Sequence, residues 1–227
     1  MLICCFQSTL PKLTFSLMSR MVPARVVSAR LGFGVLLLLC SLTPGHAQLR
    51  GHGGAVRALA VSADGSRAIS GSFDTTAIRW TLKNNAAEQV LRFHDGAVSA
   101  TIFLKDGRLA TAGEDARIAI WTLADAKPTR VLEGHSAPIV GLAVSPDGMM
   151  LASASWDGTA RVWSLNNEFA QVFEGHKQNV NGIAFATDGS ALITAGYDAT
   201  LRIWPLARPG SPTVVTLPSP LNTVAVA

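Results

Sequence analysis

Four histidines, His52, His94, His135 and His176, follow one another at steps of 42, 41 and 41 residues. Four aspartates, Asp74, Asp115, Asp157 and Asp198, and four tryptophans, Trp80, Trp121, Trp163 and Trp204, keep the same period. Histidine beside aspartate is the general-base half of nucleophilic catalysis, and histidine is also a common metal ligand. Either chemistry needs convergence. These copies lie one per repeat, so neighbouring histidines are a whole repeat apart rather than at ligand distance. The three cysteines, Cys4, Cys5 and Cys40, all precede Gln48, and no Cys-x-x-Cys-His haem-attachment motif occurs. The spacing therefore points to a repeated architecture before it points to a reaction.

The elements that carry these residues are short and alternate with turns. In the first unit, β-type segments run from Val56 to Ser62, Arg67 to Ser72, Ala77 to Leu82 and Glu88 to Arg92. Ala63-Asp64-Gly65 joins the first two as a tight hairpin, and Lys105-Asp106-Gly107, Pro146-Asp147-Gly148 and Thr187-Asp188-Gly189 repeat it. No helical periodicity follows the leader. Four antiparallel strands in each repeat of about 41 residues predict an all-β chain built from propeller blades rather than a helical solenoid.

Composition agrees with a packed domain, since 48% of the 227 residues are hydrophobic. The net charge of +4 belongs to the leader: Lys12, Arg20, Arg25 and Arg30 face no acidic residue before Gln48, after which 15 basic residues balance 15 acidic ones. The domain thus has no basic excess to recommend a nucleic-acid partner. Arg25 and Arg30 precede an apolar run from Leu31 to Leu42, and the helix-breaking Thr43-Pro44-Gly45 leads into the small-x-small site Gly45-His46-Ala47. This pattern predicts a signal peptide over 1–47, cleaved after Ala47, and an exported, periplasmic domain over 48–227. The run is shorter than the roughly 20 residues a spanning helix needs, which disfavours the alternative of an uncleaved anchor, and no membrane attachment is expected after cleavage. A lipoprotein site at Cys40 is disfavoured by the bulky Leu39 before it. Residues 1–20 fit poorly ahead of such a signal, which makes Met18 and Met21 alternative starts to Met1.

From Leu49 onward the chain resembles the WD-repeat (WD40) β-propeller family. The resemblance lies in Gly51-His52, Gly134-His135 and Gly175-His176, in an Asp six residues before each Trp, and in the Asp-Gly hairpins. The second unit departs, with Phe93-His94-Asp95 in place of Gly-His and one residue fewer between its His and Trp. The resemblance implies a structural hydrogen-bonded tetrad in each blade. These are His52, Ser70, Asp74 and Trp80, then His94, Thr111, Asp115 and Trp121, then His135, Ser153, Asp157 and Trp163, then His176, Thr194, Asp198 and Trp204. A buried indole N–H needs an acceptor, a hydroxyl both accepts and donates, and a neutral imidazole passes the donation to a carboxylate. A Ser-His-Asp hydrolase is set aside, because its serine must be exposed beside an oxyanion hole and here the indole would occupy it. Ala58, Ala60, Ala100, Gly141, Ala143, Gly182 and Ala184, read as lining the central channel, supply neither ligands nor acid-base groups. The chain is thus expected to be a non-catalytic scaffold with no cofactor and no metal.

Function is then expected on exposed loops of one rim. The residues before the turn aspartates are Phe73, Glu114, Trp156 and Tyr197, three of them of the aromatic type that carries binding hot spots. In the family this position resembles a recurrent partner-contact site, so these four are the candidate protein- or peptide-binding residues. Arg57, Ser99, Val140 and Asn181 at the starts of the first strands, together with Gln178, are weaker candidates.

Blades are expected over about 52–92, 94–133, 135–173 and 176–217, with Leu221 to Ala227 as the first strand of a fifth and Ala47 to Arg50 as a closing outer strand. Four blades and the start of a fifth leave the ring incomplete, since propellers of this family close with about seven. Either sequence beyond this chain or a second copy, making a homodimer, would complete it. Similar exported bacterial proteins continue into more blades and a c-type cytochrome domain, which makes the propeller part of an electron-transfer protein the alternative function. The leader reading is checked by intact-mass measurement of the product exported from its source. An N-terminus at Gln48 or Leu49 supports export, and an intact Met1 would overturn it.

Overall fold

The computed structural model describes residues 49–207 and 210–226. The expected signal peptide and its cleavage site lie outside the described residues.

Among the described residues four antiparallel sheets follow in chain order, each a four-stranded meander. Blade 1 holds β1 (Val56–Val61), β2 (Arg67–Ser72), β3 (Thr76–Thr81) and β4 (Ala86–Arg92). Blade 2 holds β5 (Val98–Phe103), β6 (Leu109–Gly113), β7 (Ile118–Trp121) and β8 (Arg130–Leu132). Blade 3 holds β9 (Ile139–Val144), β10 (Met150–Ser155), β11 (Thr159–Ser164) and β12 (Ala170–Glu174). Blade 4 holds β13 (Val180–Phe185), β14 (Ala191–Gly196), β15 (Thr200–Pro205) and β16 (Thr213–Thr216). Relative to the sequence expectation, β3 starts one residue earlier and β4 two residues earlier.

The Asp-Gly turns set the first hairpin of every blade. Gly65, Gly107, Gly148 and Gly189 take φ values of 67°, 87°, 76° and 73°, a region that favours glycine. In blade 1 the Asp64 carboxylate accepts the Ser66 amide at 3.0 Å, and the Gly65 amide donates to the Ser62 carbonyl at 2.9 Å. Asp106, Asp147 and Asp188 accept the amides of Arg108, Met149 and Ser190 in the same way.

The blades bury their apolar faces against one another. Ile69, Ala77 and Leu91 of blade 1 meet Val98, Leu109 and Trp121 of blade 2. Ala112, Ile118 and Leu132 then meet Ile139, Leu151 and Trp163, and Ala154, Ala160 and Phe173 meet Val180, Leu192 and Trp204. Each of these tryptophans faces the preceding blade. Among the described residues Trp80 has no such blade before it and packs with Ala68, Ile78 and Leu82 of its own sheet.

Among the described residues the arc of blades is accordingly open. Val98, Ile139 and Val180 are 0% exposed, whereas Val56, which holds the same position in blade 1, is 55% exposed and Leu59 beside it 65%. At the other end Val215 is 43% exposed, where its counterparts Leu91, Leu132 and Phe173 are buried. Two boundary expectations are corrected here. Leu49 and Arg50 are not in a strand. Residues 221–226 run beside β13, with Thr223 and Val224 abutting Gly182 and the Leu221 amide bonded to the Gly196 carbonyl at 3.1 Å, but they are not a strand. A strand needs a ladder partner, and among the described residues none pairs with this segment.

Gly141 and Gly182 lie where neighbouring elements come close. A side chain on Gly141 would press on Ile183, and one on Gly182 would collide with the backbone of Thr223 and Val224. Their smallness lets neighbouring backbone approach, that of β13 at Gly141 and that of residues 221–226 at Gly182.

Candidate functional site

Each tetrad begins from the buried tryptophan. The Trp80 indole N–H donates to Ser70 Oγ at 2.7 Å, the Ser70 oxygen lies 2.8 Å from His52 Nε2, and His52 Nδ1 lies 3.0 Å from Asp74 Oδ2. In blade 2 the corresponding distances through Trp121, Thr111, His94 and Asp115 are 3.0, 2.9 and 2.9 Å. They are 2.9, 2.8 and 2.7 Å through Trp163, Ser153, His135 and Asp157, and 2.9, 2.8 and 3.0 Å through Trp204, Thr194, His176 and Asp198. The hydroxyl accepts from the indole and donates to Nε2, so Nδ1 carries the proton given to the carboxylate.

A fifth member goes unread in the sequence. Thr76, Thr159 and Thr200 each donate both hydroxyl and amide to the carboxylate of Asp74, Asp157 and Asp198. The signal was the repeated Asp-x-Thr. In blade 2 this position is Arg117, which pairs with Asp115 at 3.1 Å and also with Asp95. The residue between is left-handed in every blade, at Thr75, Ala116, Gly158 and Ala199, and only one of these is glycine. For β-branched Thr75 that conformation is strained and is held by the bonds on either side of it.

Burial alone would raise the Asp157 carboxyl, but hydrogen bonds from Thr159 and His135 outweigh it and hold the group below the usual carboxylate range. Asp74, Asp115 and Asp198 are lowered in the same way. Burial pushes His135 and His176 down, against the opposing pull of Asp157 and Asp198. These imidazoles are therefore neutral at pH 7, and their carboxylate contacts are hydrogen bonds rather than ion pairs. Ser70, Thr111, Ser153 and Thr194 are buried with both lone-pair and proton committed, so none can reach a substrate carbonyl.

The tetrads carry the upper rim. Each Asp accepts the amide of the residue after its histidine, at Gly53, Asp95, Ser136 and Lys177, which ties the loop entering the inner strand to the turn opposite. The residue before each Asp is tied to that same loop: the amides of Phe73, Glu114, Trp156 and Tyr197 donate to the carbonyls of Ala55, Ala97, Pro138 and Asn179 at 2.8–3.1 Å. All four of these rim side chains are exposed, Tyr197 by 52% and Trp156 by 39%.

Every inner strand then bulges at its second residue. Val56 opposes Ser72 and Ala58 opposes Gly71, leaving Arg57 without a ladder position. Ser99, Val140 and Asn181 are skipped in the same manner. A bulge re-aims the extra side chain. Here Arg57, Ser99, Val140 and Asn181 converge, with Trp156 and Tyr197, on a depression of about 420 Å³ at the centre of the arc. Asn179 and Asn222 complete it. An adjoining depression of about 540 Å³ runs outward between blades 3 and 4, sharing Trp156, Asn179 and Tyr197 and adding Lys177 and Gln178.

Of the four rim candidates, the structure thus brings Trp156 and Tyr197 together. Phe73 and Glu114 line neither depression; Phe73 instead lies 5.3 Å beneath the Arg57 guanidinium. The second-residue positions, ranked lower from sequence, form the centre. Asn222 was readable by one more step of 41 from Asn181.

The family model described as WD domain, G-beta repeat matches residues 44–81, 86–122, 126–164 and 167–205. No curated protein matches the chain.

Asp157→Ala strands the His135 donor and the Thr159 donors in a buried site and is expected to cost about 1–3 kcal/mol, several degrees in Tm. An unchanged thermal midpoint would contradict the tetrad. The histidines also set a pH dependence. The unfolded chain binds protons at histidine near pH 6.5, whereas His135 and His176 resist protonation when folded. Their contribution is whole above about pH 6.5 and lost as pH falls towards their lower folded values, and the depressed aspartates extend the loss below about pH 4. Tm measured from pH 8 to pH 4 should be level at first and then fall; a rise on acidification would overturn the neutral assignment.

Proposed function

This chain belongs to the WD40-repeat family, and from that premise we propose that it is a non-catalytic scaffold whose upper rim docks a protein or peptide. WD40 domains generally mediate protein–protein interactions. The observation that carries the reading to this rim is the convergence of four bulged residues, one per blade, beside exposed Trp156 and Tyr197. Bulges interrupt a ladder, and four in register suit a surface whose side chains are aimed rather than packed. Exposed aromatic rings beside a concave polar centre are the composition of a docking site with a few dominant contacts. The tetrad hydroxyls are enclosed, which supports binding over catalysis. The leader features upstream of Gln48 support an exported, periplasmic protein as part of the same proposal.

The test is the triple variant Phe73→Ala, Trp156→Ala and Tyr197→Ala. All three rings are exposed, so the variant is expected to melt like the parent while losing at least about tenfold in partner capture, as hot-spot truncation does. Capture of the full set of partners at parental yield, with the fold intact, would place docking elsewhere.

A further inference from the structure

We propose that the central depression recognises an acidic peptide segment, with Arg57 taking a carboxylate and Trp156 and Tyr197 holding an apolar residue next to it. This rests on reading the rim as a docking surface and adds the chemistry of the partner.

The lining is one-sided in charge. Arg57 is exposed, and no carboxylate among the described residues pairs with it. Its guanidinium is oriented by the Phe73 ring, a contact that leaves its N–H fork available for an anion. The other polar groups are carboxamides and hydroxyls at Ser99, Asn179, Asn181, Asn222 and Tyr197, and no Asp or Glu lines the depression. Asn181 donates to the Leu221 carbonyl at 3.0 Å, which places that carboxamide and braces the segment carrying Asn222.

A buried carboxylate wants donors, and a concave site with one unpaired cation, several amide donors and no competing acid supplies them. A lysine or arginine side chain would find no counter-charge there. The adjoining depression continues the pattern with Lys177 and Gln178. Asp157 borders it, but its oxygens are committed to His135, Ser136 and Thr159. An extended peptide can therefore run outward from Arg57, over the aromatic pair, towards Lys177, and would match best with acidic residues on both sides of an apolar one.

The experiment titrates the full chain by calorimetry with three blocked peptides centred on Asp-Phe-Asp, Asn-Phe-Asn and Lys-Phe-Lys. The expected order is the acidic peptide at least tenfold tighter than its amide isostere, and the basic peptide weakest. Arg57→Gln, at an exposed position and with unchanged Tm, should bring the acidic peptide to within about twofold of the isostere, and Trp156→Ala should weaken both. The inference is overturned if the isostere or the basic peptide binds as tightly as the acidic one, if the preference survives Arg57→Gln, or if none of the three binds. The wider reading of the rim is judged apart, by whether the triple aromatic variant loses partner capture, so the two can fail separately.

Discussion

The structure depends on how a buried indole satisfies its N–H. Blades 2, 3 and 4 each present a tryptophan towards the blade before them, because that ring supplies much of the apolar area between two sheets. An unpaired N–H at that depth would cost about 1–3 kcal/mol. Passing the demand through hydroxyl and imidazole to a carboxylate at the rim meets it, and it also knots the third strand, the second strand, the inner-strand entry loop and the turn into one unit. The rim inherits its geometry from this chain of bonds. The residue before the Asp and the residue after the His are both held by their backbone amides, so their side chains are free to face solvent.

Blade 2 shows how far the unit tolerates variation. In blades 3 and 4 the glycine before the histidine leaves room for Arg161 and Arg202, whose guanidinium groups lie over Trp163 and Trp204 at 5.7 and 5.9 Å. Blade 2 has Phe93 there, and its ring meets Trp121 edge-on at 6.3 Å while Arg117 stacks on Phe93 at 4.9 Å. Arg117 also replaces the threonine that supports the Asp elsewhere, compensating a lost hydroxyl with a charge. Cation, aromatic ring and tryptophan are kept with their order changed, and the bonds from His94 to Asp115 remain of ordinary length.

Much of this was legible in the sequence. The period of His, Asp and Trp announced four blades, and the Asp-Gly turns marked each first hairpin, with the strand bounds of the first one read to within a residue, because turn chemistry and strand alternation are local properties. Resemblance named all four members of the tetrads. The supporting threonines were missed although Asp-x-Thr recurs, since a threonine opening a strand has an ordinary explanation in β propensity. The segment after Leu221 was read as a strand from its pattern, but a strand is defined by pairing, which no single segment contains.

By itself, then, the sequence determined the repeating unit, since four strands, one hairpin turn and one hydrogen-bonded chain are all specified within about 41 residues. Only the tertiary structure decided which exposed residues meet in one depression. Phe73, Glu114, Trp156 and Tyr197 are equivalent in the repeat, yet two of them border the central depression and two do not, while Arg57, Ser99, Val140 and Asn181 are turned into the centre. The physical reason is that convergence is a relation between blades, set by how their faces pack. The bulge that re-aims each second residue is one unpaired position in a ladder, and it leaves no mark on composition or period.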